Sequence, residues 1–174
     1  MKKTNKLLII LSWILVILIL IMIFNFSSQD SSTSNKVTED FIQDTIGGIG
    51  GGEVLEKIEK TYSWDDFVVF IRKIGHFLEY AALGFSLFNA LYLTFNLKKY
   101  SLFFITIGST FVVAGCDEIY QSFSDRHGNF WDVCLDTVGA FVGALIILGM
   151  YTLLERIIKK RKLKKEKGAV KKLD

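Results

Sequence analysis

Apolar residues along this chain fall into four long runs separated by polar segments. The first run, Leu7–Phe24, contains Ser12 as its one polar residue, and the three later runs carry more polar intrusions. A helix rises about 1.5 Å per residue, so runs of this length can cross the apolar core of a bilayer, which is about 30 Å thick. We therefore predict an all-α, polytopic integral membrane protein with a single domain, a four-helix transmembrane bundle. The predicted spans are residues 7–26, 74–97, 101–121 and 133–154.

The composition excludes an ordinary soluble domain. Of the 174 residues, 51% are hydrophobic, none is proline, and the mean hydropathy is +0.36. The first run follows a lysine-containing start, which is also typical of a signal peptide. A signal peptide has an apolar region of about 7–15 residues followed by a cleavage site of small residues. The first run is longer and residues 23–29 offer no such site, so we predict an uncleaved membrane span.

Lysine and arginine mark one side of the predicted membrane protein. They occur before the first span, at Lys98 and Lys99 between the second and third spans, and throughout residues 155–174 after the fourth. Cytoplasmic connections carry the excess of positive charge in membrane proteins. This pattern predicts that both termini and the basic tail 155–174 are cytoplasmic. The acid-rich loop 27–73 is then extracytoplasmic.

The outer loop offers little chemistry of its own. We predict that the serine-rich residues 30–35 and the glycine run 47–52 are flexible spacers. Val54–Tyr62 and Trp64–Ile71 are expected to form short amphipathic helices at the membrane interface. The glycine run lacks the preceding strand and the following Lys-Ser/Thr of a phosphate-binding loop. We therefore predict no nucleotide site there.

Small residues and cysteines on the later spans indicate packing. Gly139 and Gly143 form a small-x-x-x-small face that lets another helix approach closely, either within the bundle or in a homo-oligomer. Cys116 and Cys134 lie at similar depth near the outer ends of their helices. We predict free thiols, because buried cysteine commonly acts as a small apolar residue.

The outer ends of the four predicted spans all carry polar or ionisable side chains. Such residues are costly inside a membrane and by default mark a functional site. The topology brings these ends together at the outer leaflet, and helical spacing places several of the side chains on common faces. For acid–base chemistry we predict His76, Glu79, Asp117, Glu118 and Asp132. For binding we predict Ser28, Gln29, Lys73, Tyr80, Gln121, Arg126 and Asp136.

An imidazole beside carboxylates is the combination that general acid–base catalysis needs, because histidine titrates near neutral pH. Cations at the rim, such as Arg126, suit a phosphate group. The alternative is a polar network that only holds the helices in register, but hydrogen bonds inside membranes average about 0.6 kcal/mol. The acids and His76 have the atom types of metal ligands, yet their spacing matches no metal-binding motif. We predict no metal, no other cofactor and no nucleic-acid partner.

Four short patterns, in this order, resemble the VanZ-like family of bacterial membrane proteins. They are Phe26-Ser27-Ser28-Gln29, Lys73-x-x-His76-Phe77-x-Glu79-Tyr80-x-x-Leu83-Gly84, Asp117-Glu118-x-x-Gln121-x-Phe123-x-x-Arg126 and Asp132-x-x-x-Asp136-x-x-Gly139. The family's namesake is associated with low-level resistance to the glycopeptide antibiotic teicoplanin, and members occur in cell-envelope contexts. The resemblance implies a multi-pass protein of the bacterial cytoplasmic membrane with an envelope function.

Two classes of function follow from these residues. The first is an enzyme, a hydrolase or transferase acting on a lipid or lipid-linked envelope precursor. In it His76 is the acid–base group, Glu79 or Glu118 is its partner, and Arg126 holds phosphate. The second is a non-enzymatic module that binds or moves a membrane lipid or a glycopeptide. The sequence leaves both classes open.

Overall fold

The apolar run near the N-terminus forms one helix, α1 (Lys6–Ser27), in the computed structural model of the chain. The structure describes residues 5–48, 50–61, 63–123 and 129–170. Asn5 caps the start of α1, because its side chain accepts a hydrogen bond from the Leu7 N–H at 3.1 Å. Within the described ranges the remaining α-helices are α2 (Ser31–Ile42), α3 (Gly52–Thr61), α4 (Trp64–Thr94), α5 (Lys99–Ser122) and α6 (Phe130–Val170).

Three helices of the described part, α1, α5 and α6, are long and apolar enough to cross a membrane. The all-helical prediction is therefore confirmed for these ranges, and the helices are those of a membrane protein. The fourth long helix, α4, is not among these three candidates. Its first half is interrupted by the charged residues Asp65, Asp66, Arg72, Lys73 and Glu79. It contacts each of the other three long helices.

The closest helix–helix contact is the seam between α4 and α6. A Cβ added to Gly84 would lie 2.1 Å from the Ala140 carbonyl oxygen, and one added to Gly143 would lie 1.8 Å from that of Ala81. Gly139 is similarly close to the Phe77 carbonyl. Glycine at these positions lets the two backbones touch. Of the two uses predicted for the Gly139/Gly143 face, the structure shows the one within the chain.

The serine-rich stretch is not a flexible spacer, so that prediction was wrong. Residues 31–35 begin α2, and Asp30 caps this helix by accepting a hydrogen bond from the Thr33 N–H at 2.9 Å. Aspartate is among the strongest N-cap residues, and its side chain satisfies a backbone donor that the helix leaves open. The cap outweighs the weak helix preference of the serines.

The described residues between α2 and α4 are also folded, so the prediction of a flexible spacer at the glycine run 47–52 was wrong where it is described: Gly47 ends a π-helical turn and Gly52 begins α3. Gln43–Gly47 forms a π-helical turn, and Gly50 has a φ of +81°, which glycine adopts without strain. The predicted helix at 54–62 exists as α3, although Tyr62 lies outside the described residues. The predicted separate helix at 64–71 is wrong, because these residues are the first turns of α4. Buried Ile42, Leu55 and Val68 pack together and fix α2 and α3 against α4.

The basic end of the molecule is fastened by polar contacts between helices. Trp13 donates its indole N–H to Thr94 Oγ1 at 3.0 Å, which joins α1 to the end of α4. Lys99 forms an ion pair of 2.6 Å with Glu155, and the Tyr92 hydroxyl donates to the same carboxylate at 2.9 Å. Helix α6 continues past this point, so the predicted basic tail is helical as far as residue 170.

Candidate functional site

The polar residues at the opposite end of the long helices form one cluster, and its most buried part joins α1 to α5. The Ser27 hydroxyl donates to Asp117 Oδ2 at 2.7 Å, and Gln121 Nε2 donates to the same oxygen at 3.0 Å. Gln121 also donates to Ser27 Oγ at 2.8 Å. Asp117 and Gln121 are one helical turn apart, as their spacing predicts. Two donors on one oxygen stabilise the charged carboxylate.

Helix α4 supplies the cationic and imidazole groups of the cluster. Lys73 Nζ forms an ion pair with Asp132 of α6, and both side chains are about one-third exposed. His76 Nδ1 lies 3.6 Å from Glu79 Oε2, and each of these side chains is 16% exposed. Tyr80, on the next turn, is fully buried. Along α4 the cluster therefore runs from a half-exposed ion pair to a buried phenol.

Asp136 completes the buried centre from α6. It lies one turn after Asp132 and is 4% exposed. One ligand atom each of His76, Asp117 and Asp136 lies within 4.8 Å of the others. These three residues come from α4, α5 and α6, and they are far apart in sequence. The predicted convergence of polar side chains therefore exists for this set.

Several predicted residues lie at the edge of the cluster or outside it. Glu118 accepts a hydrogen bond from the Asn129 N–H, so its carboxylate is engaged with the start of α6. Ser28 is exposed, and its hydroxyl donates to the Asn25 carbonyl of its own helix at 2.7 Å. Gln29 lines a groove beside the cluster. Arg126 lies outside the described residues.

Two participants were missed by the reasoning from sequence. Ser27, rather than Ser28, binds Asp117, and the patterns contain both serines side by side. A helix that is apolar on every face gives no stripe from which to decide which serine faces inward. Asn35 accepts a hydrogen bond from Arg72 Nη1 at 2.8 Å. The sequence pattern predicts a flexible spacer at 30–35 and so does not indicate this contact.

Two cavities meet at the cluster. A small polar cavity of about 30 Å³ is lined by both cationic residues of α4, by His76 and by three acids, Glu118, Asp132 and Asp136. A larger groove of about 350 Å³ lies between α1, α2 and α4 and is lined largely by apolar side chains such as Phe26, Phe41 and Leu78. Arg72 and His76 line both cavities. The site therefore has a polar compartment next to an apolar one.

This geometry suits an amphiphilic ligand. Arginine and lysine bind phosphate through charge-assisted hydrogen bonds, and the apolar groove offers a surface for hydrocarbon. The carboxylate of Glu79 lies 3.6 Å from the imidazole of His76, which is beyond hydrogen-bond range but close enough for electrostatic interaction. His76 lines both cavities, and Glu79 lines the larger groove.

Comparison with known proteins identifies the family. No curated protein and no solved structure matches the chain. The model of the VanZ/LLP1 family matches residues 12–154, which include most of each of the four long helices and every part of the site that the structure describes. The chain belongs to the VanZ/LLP1 family.

Proposed function

We propose that this protein is a cell-envelope membrane protein that acts on a phosphate-bearing lipid or lipid-linked envelope precursor at the outer leaflet of the bacterial cytoplasmic membrane. The junction of the polar cavity and the apolar groove at Arg72 and His76 carries this proposal. A lipid with a charged headgroup has the same division into a polar and an apolar part. The family's connection with teicoplanin resistance gives an envelope phenotype in which to look for it.

In this proposal the chain crosses the membrane four times, through α1, α5, α6 and also α4, which is the second of the four in chain order. The basic residues at the N-terminus, at Lys98 and Lys99, and after Glu155 then share the cytoplasmic side. The site lies at the other end of the helices. Helix α4 tolerates its polar residues because α1, α5 and α6 surround it and few of these side chains face lipid.

The proposed roles follow from position. Arg72 and Lys73 bind the phosphate group at the half-exposed rim, together with Arg126 from the connection between α5 and α6. His76 transfers a proton to or from the reacting group, and Glu79 orients the imidazole. The hydrocarbon part of the ligand lies in the groove that contains Phe26 and Phe41.

A mass-spectrometric comparison of envelope lipids in cells with and without the protein tests this proposal. We expect one phosphate-bearing lipid or precursor to accumulate when the protein is absent. His76→Gln should reproduce that accumulation at normal protein level, because glutamine keeps hydrogen-bonding capacity but cannot carry the proton. The control Glu59→Gln changes an exposed carboxylate of α3 and should match the wild type.

The same experiment separates catalysis from binding alone. A binding module would give the same lipid composition in all strains, with lipid copurifying equally with the wild type and His76→Gln. Substitution of Arg72 or Lys73 would then reduce copurification gradually. If the lipids are unchanged in the deletion strain and none copurifies with the protein, both forms of the proposal are wrong.

A further inference from the structure

We propose that a divalent transition-metal cation binds between α4, α5 and α6, with the His76 imidazole and the carboxylates of Asp117 and Asp136 as its protein ligands. One ligand atom from each lies within 4.8 Å of the other two. Bonds of about 2.0–2.2 Å to zinc place two ligands at most about 4.4 Å apart. The three groups therefore need to move together only slightly to hold one ion.

Asp136 is the strongest single observation. Asp136 is 4% exposed and lines the small polar cavity, and no hydrogen bond or ion pair joins it to another residue of the described part. Burial of an ionised carboxylate is costly unless it is paired or coordinates a metal. A bound cation beside Asp136 would remove that cost.

Tyr80 provides a second, independent observation. Its hydroxyl is fully buried and has no hydrogen-bond partner among the described residues. It lies within electrostatic range of Asp117 and Asp136. A cavity of about 30 Å³, large enough for a water molecule, is lined by two of the proposed ligands, His76 and Asp136. A hydrated cation held between the carboxylates of Asp117 and Asp136 would bring a hydrogen-bond partner near this phenol.

The surrounding contacts favour a metal ion over Lys73 as the cation that neutralises the carboxylates of Asp117 and Asp136. Lys73 extends to Asp132, one turn nearer the rim than Asp136, and forms its ion pair there. Ser27 and Gln121 both donate to Asp117 Oδ2 and hold that carboxylate in place. Donors that orient a coordinating group in this way are a regular feature of metal sites.

The ligand set indicates the kind of metal. One imidazole nitrogen with two carboxylate oxygens suits zinc or manganese, whereas magnesium and calcium favour oxygen ligands alone. Three protein ligands with a fourth position open to water are typical of catalytic rather than structural zinc sites. A histidine nitrogen that binds a metal cannot also carry a proton, so the metal-bound protein would use His76 as a ligand in place of the proton-transfer role given above. The inference rests on the three side chains themselves and does not depend on which lipid, if any, the protein acts on.

Metal analysis of the full chain purified in detergent tests the inference. We expect about one equivalent of Zn²⁺ or Mn²⁺ per chain, removable with a chelator and restored by adding either metal alone. Asp136→Asn should lower the affinity for the added metal at least tenfold. Asp65→Asn is the control, because it makes the same change at an exposed position of α4 away from the three ligands, and it should retain about one equivalent.

A second measurement guards against loss of folding in the variants. Metal added to the chelator-treated wild type should raise the midpoint of thermal unfolding, since a ligand that binds the folded state stabilises it. Equal metal content in Asp136→Asn and Asp65→Asn would overturn the inference, as would a wild type that binds neither metal saturably. Because this experiment measures only metal content and stability, its result is independent of the lipid comparison proposed above.

Discussion

Replacement of Gly143 by alanine should separate α4 from α6. The added Cβ would lie 1.8 Å from the Ala81 carbonyl oxygen, 2.7 Å from its carbonyl carbon and 3.0 Å from the Phe85 backbone nitrogen. These are all backbone atoms, so no rotation of a flexible side chain can relieve the overlap. One helix has to move away from the other along the whole contact.

The size of the effect follows from two opposing terms. Overpacking of a tight interface costs about 1–3 kcal/mol, and a contact this short with backbone places Gly143→Ala toward the upper end. Replacement of glycine by alanine in a helix also stabilises the fold by about 0.4–1 kcal/mol, because the unfolded chain loses freedom. We expect a net destabilisation of about 2 kcal/mol, which lowers the folded-to-unfolded ratio roughly 30-fold.

Gly149→Ala is the matched control for this experiment. Gly149 lies on the same helix, is exposed, and has nothing within 4 Å of an added Cβ. This change should be neutral or stabilising by up to about 1 kcal/mol. Unfolding of detergent-solubilised protein by increasing sodium dodecyl sulfate, followed by far-ultraviolet circular dichroism, measures both. Equal midpoints for the two variants would refute the close seam between α4 and α6.

Three further predictions concern other parts of the chain. A reporter that is active only outside the cytoplasm should be active when inserted at Gly50 and inactive when fused to the C-terminus, as alkaline phosphatase activity would show. Ser27→Ala should destabilise the protein by about 1–3 kcal/mol in the same unfolding assay, because it removes a buried donor from a carboxylate. Ser28→Ala, at an exposed position, should change stability by less than about 0.5 kcal/mol. Truncation after Lys165 should leave glycopeptide susceptibility unchanged, because much of the basic segment remains.

Much of the fold could be predicted because an apolar run long enough to cross a bilayer has few possible structures other than a helix. The runs at 7–24 and 101–121 gave α1 and α5 nearly at their observed bounds. Helical spacing also predicted local pairs within the site, such as His76 with Glu79 and Asp117 with Gln121. These contacts depend only on the pitch of a single helix, which the sequence specifies directly.

The remaining features depend on how separate helices are rotated and how far they extend. The choice of Ser27 over Ser28 requires the rotation of α1, which its uniformly apolar surface does not reveal. The continuation of α4 to Trp64 depends on packing of Val68 with Ile42 and Leu55 from the outer segment. Such contacts join residues that are distant in sequence, so no local pattern predicts them.

The glycine seam and the candidate site are parts of one arrangement. A Cβ added to Gly139 would lie 2.4 Å from the Phe77 carbonyl oxygen. Phe77 directly follows His76 on α4, and Gly139 lies three residues after Asp136 on α6, so the two helices touch beside the site. That contact sets the separation of the imidazole and the carboxylate, since both project from the touching turns. Tyr80 is fully buried on the same helix between Phe77 and Ala81, the two α4 residues that the glycines contact. A larger side chain at Gly139 would therefore act on the site through helix separation, although it touches none of the ionisable groups.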